Sequence, residues 1–281
     1  MEISAQDVKK LREKTGSGLM DCKNALVKAE GDFIRAEKIL KELGLAAAQK
    51  RSGRKTKEGS IFSRIGADKG ILLEVSCETD FVARSQDFKD LGASLCQAAI
   101  EKGGELPQEV SDELINAAVG RIKENMELRR CQVLDQQDND LLIEYIHGGG
   151  QIGVIVKLSL SNGALKDNPR VKETGFDLAL HAAAFAPLYL SRDKVDLSYL
   201  EEQEEIFLKQ VQNLGKPEKV LAGIVKGKLN KHISEICFMD QAFVKDNSLK
   251  VGQLLKNLSR EIGGEVEITD YLYFRVGEEL V

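Results

Sequence analysis

The chain has 281 residues, 42% hydrophobic and 30% charged, with a net charge of −5. That is length enough for more than one hydrophobic core, in the composition range of ordinary globular chains. The acidic balance speaks against nucleic acid as a whole-chain partner, and the absence of Trp with 5% aromatics speaks against a base-stacking platform. The cysteines, Cys22, Cys77, Cys96, Cys131 and Cys237, are odd in number and dispersed, which reads as free thiols in a reducing compartment. The opening residues Met1-Glu2-Ile3-Ser4 lack a basic region leading into an apolar run, and no apolar stretch reaches the ~18 residues of a membrane span. The expectation is a cytoplasmic protein without a membrane partner.

The first ~45 residues predict three short helices. Ser4 caps the first, Gly16 and Gly18 bracket a turn, the second runs from about Leu19 to Ala29, and Asp32 caps the third. Phe33, Ala36, Ile39, Leu40 and Leu43 form the third helix's apolar face, with Gly44 suited to its C-terminal cap. The basic run Lys50–Lys57 reads as a solvated tether rather than a nucleic-acid patch. Ile61 to Val75 predict a strand pair turning at Gly66–Gly70, followed by one long helix over 80–102, another through Leu114, Ala118 and Ile122, a strand over 128–134 and a helix over 138–146. Ile152, Val154, Val156, Leu158 and Leu160 alternate as a strand. A helix from about Asn168 ends before Pro187. Ser198-Tyr199-Leu200-Glu201 reads as a capping box opening a helical hairpin that turns at Gly215-Lys216-Pro217, and the chain closes with a short strand at 243–244, a helix over 249–262 and a strand over 265–276. Strands and helices do not alternate as in a doubly wound sheet, so the fold class is α+β.

The familiar catalytic signatures fail on context. Gly148-Gly149-Gly150-Gln151-Ile152-Gly153 fits GxGxxG, but leads into a strand where a dinucleotide fingerprint needs a strand before and a helix after. There is no phosphate loop of the GxxxxGK[ST] kind, no Cys-x-x-Cys, and the three histidines, His147, His181 and His232, lack metal-ligand spacing. Cys77 with His147 as base is the one nucleophile pair to weigh, and a small buried apolar thiol is the simpler reading. The expectation is a protein that is not an enzyme, with no cofactor and no metal.

Three segments carry a resemblance. They are Leu11–Leu26 with the following Gly31-Asp32, then Glu78-Thr79-Asp80-Phe81-Val82-Ala83, then Tyr145-Ile146-His147-Gly148 with the strand Ile152–Val156. Gly215-Lys216-Pro217, Asp240–Val244 and Phe274–Glu278 add to them. Together, in this order and over nearly the whole chain, they resemble the bacterial elongation factor Ts family. The resemblance implies a small three-helix, ubiquitin-associated-like N-terminal domain, a two-subdomain α+β core with small antiparallel sheets, and an inserted antiparallel helical hairpin. On this sequence the segments are 1–54 (N-terminal domain and basic linker), 55–146 (core N-subdomain), 147–190 and 233–281 (two parts of the core C-subdomain), and 191–232 (hairpin).

The resemblance also implies a partner and a mechanism. The family's partner is the GTPase elongation factor Tu, whose GDP the factor helps to release during translation elongation by disturbing the Mg²⁺ and phosphate site. The implied partner-binding residues are Arg12, Leu19 and Met20 against a helix of the GTPase domain, Thr79, Asp80, Phe81 and Val82 as the intruding segment, and His147 in the core's contact region. Leu19 stands where Met is usual, Lys123 where Gly is frequent, Gln151 for a common Arg and Ala242 for a common Pro. The hairpin's second apolar face is expected to pack against a second copy of the chain or against the partner. Read without the family, Phe81 would be a packing staple and Met20 a core residue. Two other functions stay open at this level: an adaptor that binds the GTPase without changing nucleotide release, and a nucleic-acid binder through Lys50–Lys57.

Overall fold

The computed structural model describes residues 3–279 of the chain. It opens with three helices, α1 (Ala5–Thr15), α2 (Leu19–Lys28) and α3 (Phe33–Arg51). Ser4 Oγ accepts the Asp7 N–H at 3.1 Å and the Asp32 carboxylate accepts the Arg35 N–H at 3.1 Å, each removing one of the orphan donors of a helix start. Gly16 closes α1 in the left-handed conformation at φ 65°. Leu11, Cys22, Ala25, Leu26 and Ala36 are fully buried between the three helices.

Next come β1 (Glu58–Ile65), β2 (Lys69–Cys77), α4 (Asp80–Ala83), α5 (Gln86–Glu101), α6 (Gln108–Ile122) and β3 (Met126–Asp135). β1 and β2 pair antiparallel from Ile65 opposite Gly70 to Glu58 opposite Cys77, and the sheet order is β1-β2-β3. Ile71, Leu73 and Val75 of β2 bury against Phe88, Leu91 and Leu95 of α5 and Ala118 and Val119 of α6. These elements, with α1–α3, residues 146–153 and the chain from Phe274 onward, form one compact unit.

The second unit holds residues 134–145 and 154–273. Its elements are most of β4 (Asp140–His147) and β5 (Ile152–Leu160), then α7 (Pro169–Phe185), α8 (Leu197–Val211), α9 (Glu218–Ile236), β6 (Ala242–Phe243), β7 (Asp246–Lys250), α10 (Val251–Ile262) and most of β8 (Val266–Arg275). The main sheet runs β4-β5-β8, and β6-β7 form a separate antiparallel pair. α8 and α9 make the hairpin, turned by Gly215 at φ 64° and Pro217 at the start of α9. Its two ends meet where the Leu188 and Tyr189 N–H groups both donate to Ile236 O and Phe238 N–H donates to Tyr189 O. Leu197, Ile206, Leu208, Leu214 and Val220 of the hairpin remain exposed.

The architecture is the expected α+β with an N-terminal three-helix region, small sheets and a helical hairpin, and five local expectations are corrected. α3 does not stop at Gly44: it runs through Ala46-Ala47-Ala48, strong helix formers, to Arg51. Gly44 lies instead at a helix crossing, where a Cβ would stand 3.3 Å from Asn116 O, while one on Gly120 would stand 3.1 Å from Gly44 Cα. The basic run is therefore no loose tether. Arg51 Nε donates to Lys123 O at 3.0 Å, Arg54 O accepts from Asn125 Nδ2 at 2.8 Å, and Arg54 pairs with Glu78 at 3.4 Å. The single helix over 80–102 is two, because Ser85 breaks it and caps α5 by accepting the Phe88 N–H. The expected helix over 138–146 is β4: Leu141, Leu142, Tyr145 and Ile146 fit a helical face as well as a strand, and pairing with the unambiguous β5 decides. Finally, α8 begins at Leu197 with Asp196 in the N-cap position, so Ser198 lies inside the helix.

Two buried polar groups set stability predictions. Glu74, in mid-β2, is fully buried and accepts from Arg129 Nη1 at 2.6 Å, Arg130 Nε at 2.8 Å and the Gly277 N–H at 2.8 Å. Removing one partner of such a cluster leaves uncompensated buried charge, so Glu74→Ala should lower unfolding free energy by about 3–5 kcal/mol in urea titrations. His181 of α7 is fully buried among Phe185, Phe238 and Phe243. Its Nδ1 accepts the Val244 N–H at 3.1 Å, so Nε2 carries the proton and donates to Gln241 Oε1 at 2.9 Å. Burial pulls its pKa below the ordinary 6.5, so the unfolded chain takes up this proton first. The resulting stability is complete above that value and declines as pH falls through it. His181→Gln should be less stable at neutral pH, yet show a flatter melting-temperature profile than wild type between about pH 7 and 5.

Candidate functional site

All eight residues singled out from sequence fall in the first unit. Arg12 on α1 and Leu19 and Met20 at the start of α2 are exposed, the last two at 54% and 61%. That rules out a core role for Met20. Phe81 on α4 is 83% exposed, which rules out the packing-staple reading. Val82 is half-buried against the β2–α5 core, and Ala83 beside it is buried. The short helix is thus seated by one side and presents the Phe81 ring on the other. Asp80 pairs with Arg84, one turn on, at 3.2 Å.

Thr79 governs how α4 leaves β2. Its hydroxyl caps the helix by accepting the Val82 N–H at 3.3 Å, and its carbonyl accepts the Ala83 N–H at 3.1 Å and the Cys77 thiol at 3.2 Å. Burial, reinforced by the Glu124 carboxylate, pushes the Cys77 thiol up to about 12. It is therefore a protonated hydrogen-bond donor at neutral pH and not a nucleophile. Cys77 supports the turn, and the Cys77–His147 pair is discarded.

His147 ends β4 and is exposed, and its carbonyl accepts the N–H groups of both Gly150 and Gln151. Gly148, Gly149 and Gly150 all have positive φ, at 62°, 67° and 104°, which explains the glycine run by backbone geometry rather than by nucleotide binding. Gly150 O accepts the Ile61 N–H at 2.7 Å, and a Cβ on Gly150 would stand 2.8 Å from the Ser60 side chain. Ser60 Oγ reaches Ala83 O at 3.5 Å. The His147 turn and α4 are therefore neighbours, brought together at Ser60 of β1.

The N-terminal residues join this region through the turn after α6. Lys123 takes the left-handed conformation at φ 67°, and its ammonium pairs with Asp21 of α2 at 3.3 Å. Glu124 accepts from Thr79, and Asn125 is buried with its N–H donated to Glu78 at 2.7 Å. From sequence, Lys123 stood out only as a departure and Glu78 only as the start of a motif, and Glu124, Asn125 and Ser60 were given no role. Nothing local marks Asn125, because the strand that follows it, Met126–Asp135, mixes apolar residues with charged ones. Among the described residues, no group of three or more His, Cys, Asp or Glu side chains could hold a metal ion, and no helix is long and apolar enough to cross a membrane.

Arg12, Leu19 and Met20, the Phe81 ring on its pinned one-turn helix and the His147 turn are all exposed, and exposed apolar side chains of this kind are the raw material of a protein contact. Comparison with known proteins gives the family. The family model described as elongation factor TS matches residues 78–278. The chain is 44% identical over 278 residues to the elongation factor Ts of Treponema denticola, covering 99% of each. It is 43% identical over 278 residues to that of Borrelia recurrentis, covering 99% of this chain and 100% of the other, and 44% identical over 277 residues to that of Borreliella burgdorferi, covering 98% and 99%. The chain belongs to the elongation factor Ts family. Membership places it among the factors of translation elongation, with a role in protein biosynthesis.

Because the Phe81 ring is mostly in solvent, truncating it removes little folded-state packing. Phe81→Ala should change unfolding free energy by no more than about 0.5 kcal/mol, measured by urea or thermal melting. A buried phenylalanine such as Phe88 should cost about 3–5 kcal/mol in the same assay.

Proposed function

We propose that this chain is a guanine-nucleotide exchange factor that binds elongation factor Tu and speeds its release of GDP, acting in the cytoplasm and without a cofactor or metal of its own. The observation that carries the proposal is Phe81, held out into solvent on a one-turn helix whose N-cap is fixed from several sides. An aromatic so placed fills a pocket in a partner without needing a matched charge. Asp80 beside it brings a carboxylate toward the partner's Mg²⁺ and phosphate end, where nucleotide affinity resides. Arg12, Leu19 and Met20 supply a second contact on the GTPase domain, Thr79 and Val82 frame the intruding residues, and His147 extends the core contact. The exposed apolar residues of the hairpin serve a second copy of the chain or the GTPase.

Exchange of this kind breaks no bond of the nucleotide. The factor binds the GTPase more tightly when nucleotide contacts are lost, and linkage makes the effect reciprocal: each ligand weakens the other by the same ratio. The chain in this reading is a binding catalyst and not an enzyme. Residues 1–54 contribute chiefly affinity and the core the displacement.

The test is release of fluorescently labelled GDP from elongation factor Tu. Substoichiometric amounts of the chain should accelerate release, and Phe81→Ala should reduce that acceleration by tens- to hundreds-fold, the effect of removing an aromatic anchor of ~2–4 kcal/mol. GDP release that stays at its basal rate while the complex demonstrably forms would mean the chain is an adaptor instead.

A further inference from the structure

We propose that Glu124 is the positioning residue of the intruding helix: its carboxylate, held rigid by the turn after α6, sets the direction in which α4 presents Phe81. The proposal rests on the exchange reading above and adds to it a residue that acts through the N-cap of α4.

A helix of one turn cannot hold its own axis, because nucleating a turn fixes several dihedrals for a single hydrogen bond. α4 has four residues, so its direction is set from outside, at the N-cap. There, both donors of Thr79 go to one carboxylate: the N–H to Glu124 Oε2 at 3.0 Å and the hydroxyl to Glu124 Oε1 at 2.7 Å. Thr79 also has its carbonyl taken by the Cys77 thiol and the Ala83 N–H, so each of its polar groups has a fixed partner. Bonds to an ionised acceptor are about twice as strong as neutral ones, and a two-point grip fixes orientation as well as distance.

The carboxylate is itself fixed. The Lys123 N–H donates to Val119 O at 2.9 Å and the Lys123 carbonyl accepts Arg51 Nε at 3.0 Å. On the other side, the Asn125 N–H donates to Glu78 Oε1 and its Nδ2 to Arg54 O. The two segments therefore grip each other reciprocally: Glu124 holds the backbone of Thr79, and Glu78, next to Thr79, holds the backbone of Asn125. Lys123 keeps a left-handed conformation that costs a non-glycine residue about 1 kcal/mol or more, as expected where the surroundings over-determine a turn.

The experiment follows labelled-GDP release from elongation factor Tu with full-length variants, separating affinity from release rate at saturation. Glu124→Ala should lower the saturating rate about tenfold, the scale of one charged hydrogen bond, with affinity changed less than threefold. Glu124→Gln keeps one acceptor and should fall between Glu124→Ala and wild type. The deciding measurement is Glu124→Ala in a Phe81→Ala background. A positioning residue that acts through Phe81 has nothing left to position, so the second substitution should reduce the rate less than twofold. Full additivity of the two substitutions overturns the proposal, as does a Glu124→Ala protein that exchanges at the wild-type rate. If Phe81→Ala alone exchanges normally, it is the exchange reading itself that fails. Melting curves on each variant identify any loss due to unfolding, and in that event Glu124→Gln and Thr79→Val carry the same double-substitution test.

Discussion

A carboxylate without access to water organises the first unit. Glu74 lies in mid-β2 among apolar neighbours, and a charge so placed must be met by opposite charge and by donors. Arg129 and Arg130 on β3 provide the charge, and the Gly277 N–H provides a backbone donor. Arg130 also stacks over the Phe274 ring at 3.9 Å and reaches the Arg275 carbonyl. The chain beyond β8 is thereby pinned to the sheet, and its Val276 N–H donates to Gln151 O at 3.0 Å, just past the glycine turn that carries His147. Three residues beyond Glu74 on the same strand, Cys77 begins the turn into α4. One buried charge thus references both ends of the candidate surface to a single sheet.

Packing seats one side of α2 and of α4, and polar contacts fix how the exposed side is turned. Phe81, Leu19 and Met20 contribute little to the protein's own core, so their own burial does not fix them. Beyond the packing of their helices, the polar contacts are those of Thr79, Glu124, Glu78 and Asn125 on one side, the Gly150–Ile61 bond on another, and the Lys123–Asp21 pair on a third. The last of these is half exposed on both partners, so it is screened by salt and contributes modestly. The other two are shielded and directional.

Elements whose signal is local were legible in the sequence. Ser4 and Asp32 announced their helices, Gly66–Gly70 its hairpin, and the alternation from Ile152 to Leu160 its strand. The elements that misled are those decided by distant partners. Gly44 has the look of a stop signal, and its actual role, letting α3 approach α6, depends on Gly120, far along the chain. β4 carries apolar residues consistent with two periods, and only β5 beside it selects one. The exposed candidate residues were singled out through family resemblance, because no periodicity distinguishes an aromatic held out from one folded in. Glu124 and Glu74 were illegible for a simpler reason: among so many carboxylates, nothing local marks the two that hold backbone or face a buried arginine pair.

The continuity of α3 changes how the N-terminal helices act mechanically. A flexible string lets the body at its end reorient freely, and nothing that happens there is felt at the other end. α3 is a rod of 19 residues, about 28 Å long at 1.5 Å per residue, clasped near its middle by the Gly44–Gly120 crossing and at its far end by Arg51 on the Lys123 carbonyl. With a crossing near its middle and an anchored end, such a rod gives α1 and α2 a defined bearing relative to the segment 123–125, so Leu19 and Met20 stand at a set distance from the base of α4 instead of sweeping a volume around it.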